Sequence, residues 1–294
     1  MRDKDLTIAV LGCGRHGYAC HLRDAWLTPG RQLGKAIICG LLKQSDVSIN
    51  SIEAAVNSDT SKVDLSKQLR EGVRVSKGGN VKAANAADVV ILACPPRAMT
   101  SILGEQGMDA ALKGKPLVSV LAGVTTSAME DVLKGGGDAP FCIFRALPNL
   151  AIATCASATA VEAPKSSIPR EMVDVIDKLF RSLGGITYVP ASNMNAATVM
   201  CGSTPAYVAL FLDGMVDGAV AAGVPRDKAR SMVAQMLSST AALLQSHSPS
   251  ELRESVCAMP GCTIQGNLVL EEGCIRGTSA RAVKTAIDAA SKLG

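Results

Sequence analysis

Residues 6–17 read Leu-Thr-Ile-Ala-Val-Leu-Gly-Cys-Gly-Arg-His-Gly, an apolar run that leads into the glycine pattern G-x-G-x-x-G. The apolar run predicts a buried strand, and the first glycine permits a tight turn after it. The second glycine lets the backbone approach a pyrophosphate, and the third lets the next helix pack closely on the strand. Because the pattern directly follows a buried strand, it indicates the phosphate loop of a dinucleotide-binding domain.

Short apolar runs alternate with helical patterns from this motif to about residue 148. Continuous apolar strands that alternate with helices are typical of a parallel sheet covered on both faces. The predicted strands are 6–11, 52–56, 73–76, 89–94, 117–122 and 141–147, and the predicted helices are 34–42, 61–69, 81–87, 97–104 and 126–133. We therefore predict an α/β fold with a Rossmann-type domain over residues 1–165.

Helical patterns dominate the second half, over residues 166–294. One helix at 169–183 and a last short strand at 186–189 come first. The remaining predicted helices lie near 192–201, 205–222, 226–246, 249–257, 264–272 and 276–292. Gly214 and Gly218 lie one turn apart on a long apolar helix, and they favour close helix packing at a subunit interface.

Composition excludes several classes of protein. The net charge of +4 comes without a dense basic run, so nothing indicates a nucleic-acid partner. Ten cysteines without a C-x-x-C pair and three dispersed histidines predict no metal site. We interpret the cysteines as small buried residues of a reducing compartment. The charged residues 1–5 precede an apolar run that is too short for a signal peptide or membrane span, so we expect a cytoplasmic location and no membrane partner.

Three segments of the second half carry a family resemblance. They read Gly-Ser-Thr-Pro-Ala-Tyr-Val at 202–208, Ala-Gly-Val-Pro-Arg at 222–226 and Met-Pro-Gly-Cys-Thr-Ile at 259–264. Together they resemble the substrate domain of pyrroline-5-carboxylate reductases, which reduce a cyclic imine to proline. The resemblance implies a Rossmann-type domain followed by an all-helical dimerisation domain. It also implies a small cyclic imine as substrate, NADPH or NADH as cofactor, and a homodimer or higher homo-oligomer.

The phosphate loop departs from the family pattern. Residues 18–27 are polar, and Thr-Pro-Gly at 28–30 would break a helix. When residues 16–32 are set aside, the remaining text resembles the family's opening loop and first helix. The fingerprint glycines are then Gly12, Gly14 and Gly34. We interpret residues 16–32 as an insertion, either an unspliced intron, since whole codons keep the reading frame, or a genuine surface excursion.

The residues after the second strand bear on the choice of cofactor. Asn57, Ser58 and Thr60 could donate hydrogen bonds to a ribose 2′-phosphate, which favours NADPH. Asp59 would instead favour NADH by accepting a bond from the 2′-hydroxyl, and no arginine is adjacent in sequence. We favour NADPH and leave NADH open.

The family resemblance implies the other cofactor contacts. It places Asn80 near the ribose, with a plain helix cap as the alternative role. It matches Pro95 to a position that is usually lysine, in the turn after the fourth strand, and it places the turn after the fifth strand beside the nicotinamide. The predicted cofactor-binding residues are Gly12, Gly14, Leu33, Gly34, Asn57, Ser58, Asn80, Ala93, Cys94, Pro95, Ala122 and Gly123.

The resemblance also implies how the substrate carboxylate is held. The family uses backbone N–H groups and hydroxyls at a helix start, in a loop that corresponds to residues 260–264. This loop is one residue shorter here, and Cys262 replaces a glycine. Thr263 is the predicted catalytic residue, which would bind the carboxylate and relay a proton; a helix N-cap is its alternative role. The predicted substrate-binding residues are Val124, Asn149, Gly202, Ser203, Asp213, Gly261, Cys262 and Thr263.

Three alternative functions differ from this one in the residues that they require. A β-hydroxyacid dehydrogenase would need a lysine in the first helix of the second domain, and residues 192–201 contain none. A reductase of a related, substituted cyclic imine remains open because the loop around Cys262 is altered. A catalytically impaired dinucleotide-binding homologue also remains open, since the insertion falls in the phosphate loop.

Overall fold

A computed structural model of the protein describes residues 5–13, 33–69, 72–133, 141–257 and 261–292. The chain forms two compact units. The first consists of Met1–Gly202 together with Ile287–Gly294, and the second of Ser203–Ala286. The first unit contains the sheet, and the described part of the second unit is helical.

The first unit is built on one eight-stranded sheet. Its strands are β1 (Leu6–Leu11), β2 (Ile49–Val56), β3 (Val73–Lys77), β4 (Val89–Leu92), β5 (Pro116–Ser119), β6 (Cys142–Pro148), β7 (Ser157–Glu162) and β8 (Gly184–Val189). Their order across the sheet is β3-β2-β1-β4-β5-β6-β7-β8. All neighbours are parallel except β6 and β7, which are antiparallel. The predicted α/β fold with a parallel sheet is confirmed.

Helices cover both faces of this sheet. They are α1 (Leu33–Lys43), α2 (Asp59–Gln68), α3 (Asn80–Ala86), α4 (Met99–Leu103), α5 (Met108–Leu112), α6 (Thr126–Leu133), α7 (Arg170–Arg181) and α8 (Met194–Thr198). Ile8 and Val10 of β1 pack in a cluster with α1 and α7, whereas Ala9 and Leu11 pack in a second cluster with α3, α4 and α5. Successive side chains of a strand point to opposite faces, so a strand covered on both sides is apolar throughout.

Strand β7 was missed by the sequence prediction. Its sequence, Ser-Ala-Thr-Ala-Val-Glu, lacks the run of large apolar residues that marks the central strands. It is nevertheless buried, and its hydroxyls pair with each other, since Ser157 Oγ lies 3.1 Å from Thr159 Oγ1. These small and polar residues are buried because β7 pairs with β6 on one side and with β8 on the other.

Several predicted ends also differ from the structure. The predicted strands 89–94 and 117–122 end at Leu92 and Ser119, because the residues that follow turn away from the sheet to form loops. The predicted helix 97–104 consists of a 3-10 turn followed by α4, and α5 was not predicted. Propensity alone does not determine where short elements end, since a few tertiary contacts outweigh it.

Residues beyond the predicted boundary at 165 still belong to the first compact unit. Strand β8 pairs in parallel with β7 along its whole length, and α7 packs its buried Ile176 and Phe180 into the core. The functional division into a cofactor domain over residues 1–165 and a substrate and dimerisation domain over residues 166–294 stays a prediction.

The second unit is a set of helices with little buried surface. They are α9 (Thr204–Ala221), α10 (Arg226–Leu243), α11 (Pro249–Ser255), α12 (Cys262–Glu272) and α13 (Ile275–Ala290), of which the last four residues belong to the first unit. A π-helical turn, Val199–Ser203, precedes α9. In α9 and α10 the buried residues are Val216 and Ala229. A Cβ atom added to Gly214 or Gly218 would meet nothing within 4 Å, so the described residues leave this face of α9 uncovered.

A buried ion pair joins β6 to β7. Arg145 Nη1 lies 2.7 Å from Glu162 Oε2, and the two side chains are 5% and 11% exposed. The Nε atom of Arg145 has no hydrogen-bond partner among the described residues. A buried charge that loses its partner is strongly destabilising, because desolvation is then left uncompensated. The pair therefore makes the antiparallel β6–β7 junction sensitive to substitution.

We predict that Glu162→Ala lowers the free energy of unfolding by about 3–5 kcal/mol, since it leaves the Arg145 cation buried and unpaired. The matched control is Glu130→Ala, which breaks an ion pair with Lys165, a side chain that is 49% exposed. We expect this control to lose less than about 1 kcal/mol. Urea unfolding at one protein concentration measures both changes. Equal losses in the two variants would contradict the prediction.

Candidate active site

The carboxyl ends of β1 and β4 form the crevice of the sheet. The chain leaves β1 towards β2 on one side, whereas β4 is followed by β5 on the other. Ligands of open parallel sheets bind at such a switch point, outside the carboxyl ends of the strands. Gly12 and Cys13 follow β1 at this place, and Ala93 and Cys94 follow β4.

Gly12 occupies a position that no other residue fits. Its φ of +77° lies in the left-handed region, and a Cβ atom there would lie 2.4 Å from the Cβ of Cys94. The N–H groups of Gly12 and Cys13 donate to the carbonyl oxygen of Ala55 at 3.0 and 3.3 Å. The turn after β1 is therefore tied to β2 and pressed against the turn after β4, as a phosphate loop requires.

Gly34 brings the first helix against the same turn. It is the second residue of α1, and a Cβ atom there would lie 2.7 Å from the Cβ of Cys13 and 3.2 Å from that of Ala93. The third glycine of the fingerprint permits close packing of this kind between the helix and the strand. The geometry supports our reading of Gly34, with the partly buried Leu33 before it, as that glycine. Gly14 and the predicted insertion at residues 16–32 lie outside the described residues.

The residues after β2 begin helix α2. Asn57 follows the strand, and Ser58 is the N-cap, whose Oγ accepts a bond from the Ser61 N–H at 3.2 Å. Asp59 lies in the first turn and forms an ion pair with Lys77 at the end of β3, with 2.5 Å between Nζ and Oδ2. Lys77 is distant in sequence, and sequence reasoning overlooked it.

Asn80 is the first residue of α3, but the alternative role of helix cap is wrong. Gly79 is the N-cap and provides no side-chain bond. The side-chain amide of Asn80 instead donates to Glu105 Oε1 at 2.5 Å. This bond turns the amide nitrogen towards Glu105 and leaves the amide oxygen as an acceptor, which suits a ribose hydroxyl. Sequence reasoning also overlooked Glu105, because it lies on a loop far from Asn80 in the chain.

The turns after β4 and β5 complete the crevice edge. Ala93 donates its N–H to the Leu11 carbonyl at 2.9 Å, and Pro95 begins a 3-10 turn. After β5, Ala122 and Gly123 form a turn in which Gly123 has a φ of +78°, and Val124 leads into α6. The main chain therefore lines this edge, which suits a ligand that is bound through backbone groups.

The thiols of the crevice are unreactive. Burial raises the pKa of Cys13 to about 12 and that of Cys94 to about 11. The Cys13 Sγ lies 3.4 Å from the carbonyl oxygens of Val10 and Ala55. Since only a thiolate is a nucleophile, these cysteines are structural.

Asn149 ties the end of β6 to the π-helical turn. Its Oδ1 accepts from the Ala151 N–H at 3.0 Å, and its Nδ2 donates to the Cys201 carbonyl at 3.1 Å. Both polar atoms of the side chain are thus bonded within the chain, and Asn149 holds the backbone next to Gly202. This arrangement favours positioning of residues 201–202 over direct contact of the amide with a substrate.

In the second unit, three of the residues predicted to bind the substrate lie at the start of α12. Gly261 is the N-cap, with extended backbone and no side-chain cap, Cys262 is exposed and Thr263 is half-buried. The alternative role of Thr263 as an N-cap is wrong, because α12 begins one residue before it. Ser203 and Asp213 lie elsewhere in the unit, before and within α9. A helix start without a side-chain cap is suited to an anion.

Comparisons with known proteins agree with this geometry. Residues 30–123 match the family described as NADP oxidoreductase, coenzyme F420-dependent, and residues 191–293 match pyrroline-5-carboxylate reductase dimerisation. The Delta-1-pyrroline-5-carboxylate reductase of Curvularia clavata is 35% identical over 302 residues, which cover 98% of this chain and 96% of that protein. The pyrroline-5-carboxylate reductase of Schizosaccharomyces pombe is 33% identical, with 97% and 98% covered.

The fold has solved counterparts. The crystal structure of Plasmodium falciparum pyrroline carboxylate reductase with NADP bound has a TM-score of 0.78 at 18% identity, and 98% of each chain is covered.

The Rossmann-type sheet and the NADP oxidoreductase match define an NAD(P)H-dependent oxidoreductase. Within that class, the full-length similarity is decisive: the chain belongs to the pyrroline-5-carboxylate reductase family.

We predict that Gly12→Ala weakens NADP⁺ binding at least about tenfold, since the new Cβ would push apart the turns after β1 and β4. The matched control is Gly114→Ala, because Gly114 also has a positive φ, +71°, yet its Cβ would meet nothing within 4 Å. The control should lose about 1–2 kcal/mol of stability from the left-handed backbone alone and keep its affinity. Calorimetric titration and thermal unfolding measure the two effects. Unchanged affinity in Gly12→Ala would refute the assignment.

Proposed function

We propose that this protein reduces 1-pyrroline-5-carboxylate to L-proline with NADPH, and that NADH serves as a weaker alternative. The observation that carries the proposal is similarity along the whole chain to proteins named for this reaction, at 35% and 33% identity. The crevice at the ends of β1 and β4 supports it independently, because Gly12 and Gly34 allow the close packing of the turn after β1, the turn after β4 and α1 that a dinucleotide-binding loop requires.

The first unit supplies the proposed cofactor site. When bound there, a reduced nicotinamide supplies a hydride to the carbon of the substrate C=N bond. Gly12 and Gly34 keep the turn after β1 against α1, and Gly14 belongs to the same proposed loop. The other proposed contacts line the carboxyl edge of the sheet: Leu33, Asn57, Ser58, Asn80, Ala93, Cys94, Pro95, Ala122 and Gly123.

The second unit supplies the proposed carboxylate site. Gly261 has no side chain to cap α12, so the first N–H groups of that helix are suited to the substrate carboxylate. Thr263 lies in this first turn, and its hydroxyl adds a donor that can relay a proton. An iminium is already activated towards hydride, so binding and orientation can supply most of the acceleration. The remaining proposed substrate contacts are Val124, Gly202, Ser203, Asp213 and Cys262, whereas Asn149 is proposed to position residues 201–202.

A related, substituted cyclic imine is the second candidate substrate. The observation that favours it is the exposed Cys262 side chain at the start of α12, where the family loop usually has glycine. An added side chain at this position changes the shape available beside the carboxylate. Turnover of substituted pyrrolines in preference to pyrroline-5-carboxylate would select this candidate.

We also propose that the active protein is a homodimer or a larger assembly of dimers. Several large apolar side chains of α9 and α10 are exposed in the single chain: Tyr207, Val208, Leu210, Phe211, Met215, Met232, Met236, Leu237 and Leu243. The helical run Ala191–Ala221 would be long and apolar enough to cross a membrane. Because it falls in the matched dimerisation region, we assign its apolar surface to contact between copies.

A cytoplasmic location is part of the same proposal. All cysteines among the described residues are free thiols, both in the buried crevice and on the surface at Cys262 and Cys274. Reduced thiols in this number are typical of a reducing compartment.

We predict that Thr263→Ala lowers kcat/KM for pyrroline-5-carboxylate by about 10- to 100-fold, because a hydroxyl donor at the carboxylate is lost. Thr263→Ser should retain most of the activity, and the KM for NADPH should not change. Thr278→Ala, which removes a hydroxyl from α13, is the matched control. Steady-state kinetics that follow NADPH absorbance give these constants. Unchanged kinetics in Thr263→Ala would remove this residue from the site.

We predict that Leu210→Asp prevents self-association, since Leu210 is 76% exposed in the single chain and a carboxylate cannot be buried there unpaired. Val63→Asp is the matched control, because Val63 is also exposed, at 49%, but lies on α2 of the first unit. Light scattering coupled to size-exclusion chromatography measures the assembly. If Leu210→Asp remains as large as the wild type, α9 does not form the interface.

A further inference from the structure

We propose that Lys77 selects NADPH over NADH by pairing with the ribose 2′-phosphate, and that Asp59 competes with the phosphate for this lysine. The inference rests on the proposed function, since it concerns the cofactor of the same crevice. Lys77 would provide a cation near Asn57 and Ser58, where no arginine is adjacent in the sequence.

Lys77 lies beside the end of β2, which precedes the proposed ribose-binding residues Asn57 and Ser58. It ends β3 and is the register partner of Val56, the last residue of β2. The N–H of Gly78 donates to the Val56 carbonyl at 2.9 Å, so the two strands end together. In Rossmann-type domains, residues just after the second strand bind the ribose 2′ position. An acid accepts a bond from the 2′-hydroxyl of NADH, or a nearby cation binds the 2′-phosphate of NADPH.

In this structure the acid and the cation, Asp59 and Lys77, form an ion pair with each other. Lys77 Nζ lies 2.5 Å from Asp59 Oδ2, and the two side chains are 51% and 73% exposed. Exposed ion pairs contribute little to stability, so a ligand can replace either partner at small cost. A phosphate dianion attracts the lysine more strongly than a single carboxylate does. With the phosphate present, Lys77 therefore exchanges Asp59 for the ligand.

The same pair determines what happens with NADH. A 2′-hydroxyl attracts no cation, so Lys77 stays on Asp59 and occupies the carboxylate that would accept the hydroxyl proton. The hydroxyl of Ser58 is engaged within the chain, because Ser58 Oγ accepts from the Ser61 N–H at 3.2 Å and donates to Ser61 Oγ at 2.9 Å. The choice of cofactor thus depends on Lys77 and Asp59.

The chain offers a matched control on the same strands. Arg74 of β3 also forms an ion pair, with 2.6 Å between its Nε and Glu53 Oε1; the Arg74 side chain is 71% exposed and that of Glu53 is 17% exposed. Arg74 lies three residues before Lys77, so the two side chains leave opposite faces of the strand. Arg74→Met and Lys77→Met each remove one exposed positive charge and one ion pair, but only the second removes the proposed phosphate partner.

The test measures binding rather than turnover. Full-length wild type, Lys77→Met, Lys77→Arg, Asp59→Asn and Arg74→Met are titrated calorimetrically with NADP⁺, NAD⁺ and adenosine 2′-monophosphate. We expect Lys77→Met to weaken NADP⁺ and adenosine 2′-monophosphate at least about tenfold and to leave NAD⁺ within about threefold. Lys77→Arg should keep the preference. Asp59→Asn should strengthen NADP⁺ about threefold or more, because the carboxylate no longer competes with the phosphate for Lys77, and should leave NAD⁺ within about threefold.

The outcomes separate this inference from the proposed function. If the wild type binds NADP⁺ and reduces the imine, but Lys77→Met behaves like Arg74→Met, the role of Lys77 is refuted and the function stands. If the wild type binds neither dinucleotide, both proposals are refuted. A selective loss of 2′-phosphate ligands in Lys77→Met, with binding restored in Lys77→Arg, supports the inference.

Discussion

The close approach of α1 to the ends of β1 and β4 is the contact on which the first unit depends. At its start, Gly34 leaves no room for a side chain between α1 and the Cys13 turn. Further along α1, a Cβ atom at Gly40 would lie 2.2 Å from the Ile152 carbonyl oxygen. Glycine at both places lets the helix lie flat on the backbone of its neighbours. The position of the helix start, and with it the crevice, follows from the absence of two side chains.

The two ion pairs Arg145–Glu162 and Lys77–Asp59 differ in burial, and this difference determines whether each can exchange its partner. Arg145 and Glu162 are nearly enclosed, so the pair joins β6 to β7 and cannot exchange partners. Lys77 and Asp59 face solvent, so their pairing is weak and a ligand can compete for it. Structural ion pairs therefore lie inside the sheet, whereas an ion pair that responds to the cofactor has to lie at its exposed edge.

The two units differ in how much of their apolar surface is buried within the chain. The first encloses it within the chain, since helices cover both faces of the sheet. In the second unit the residues buried on α9 and α10 are Val216 and Ala229, and Leu210 projects into solvent. Helices with so little internal core are stable when another surface covers them. The match of residues 191–293 to the dimerisation family agrees with our proposal that another copy covers these helices.

The sequence by itself determined the α/β class, the strand before Gly12 and the family, because these depend on local periodicity and contiguous motifs; that Gly34 is the third fingerprint glycine stays a prediction. It also placed Thr263 at the start of a helix. Only the tertiary structure decided that β7 enters the sheet, that Glu105 holds Asn80, and that Lys77 meets Asp59. These contacts join residues far apart in the chain, and no local pattern records which strands lie side by side or which charges meet where those strands end.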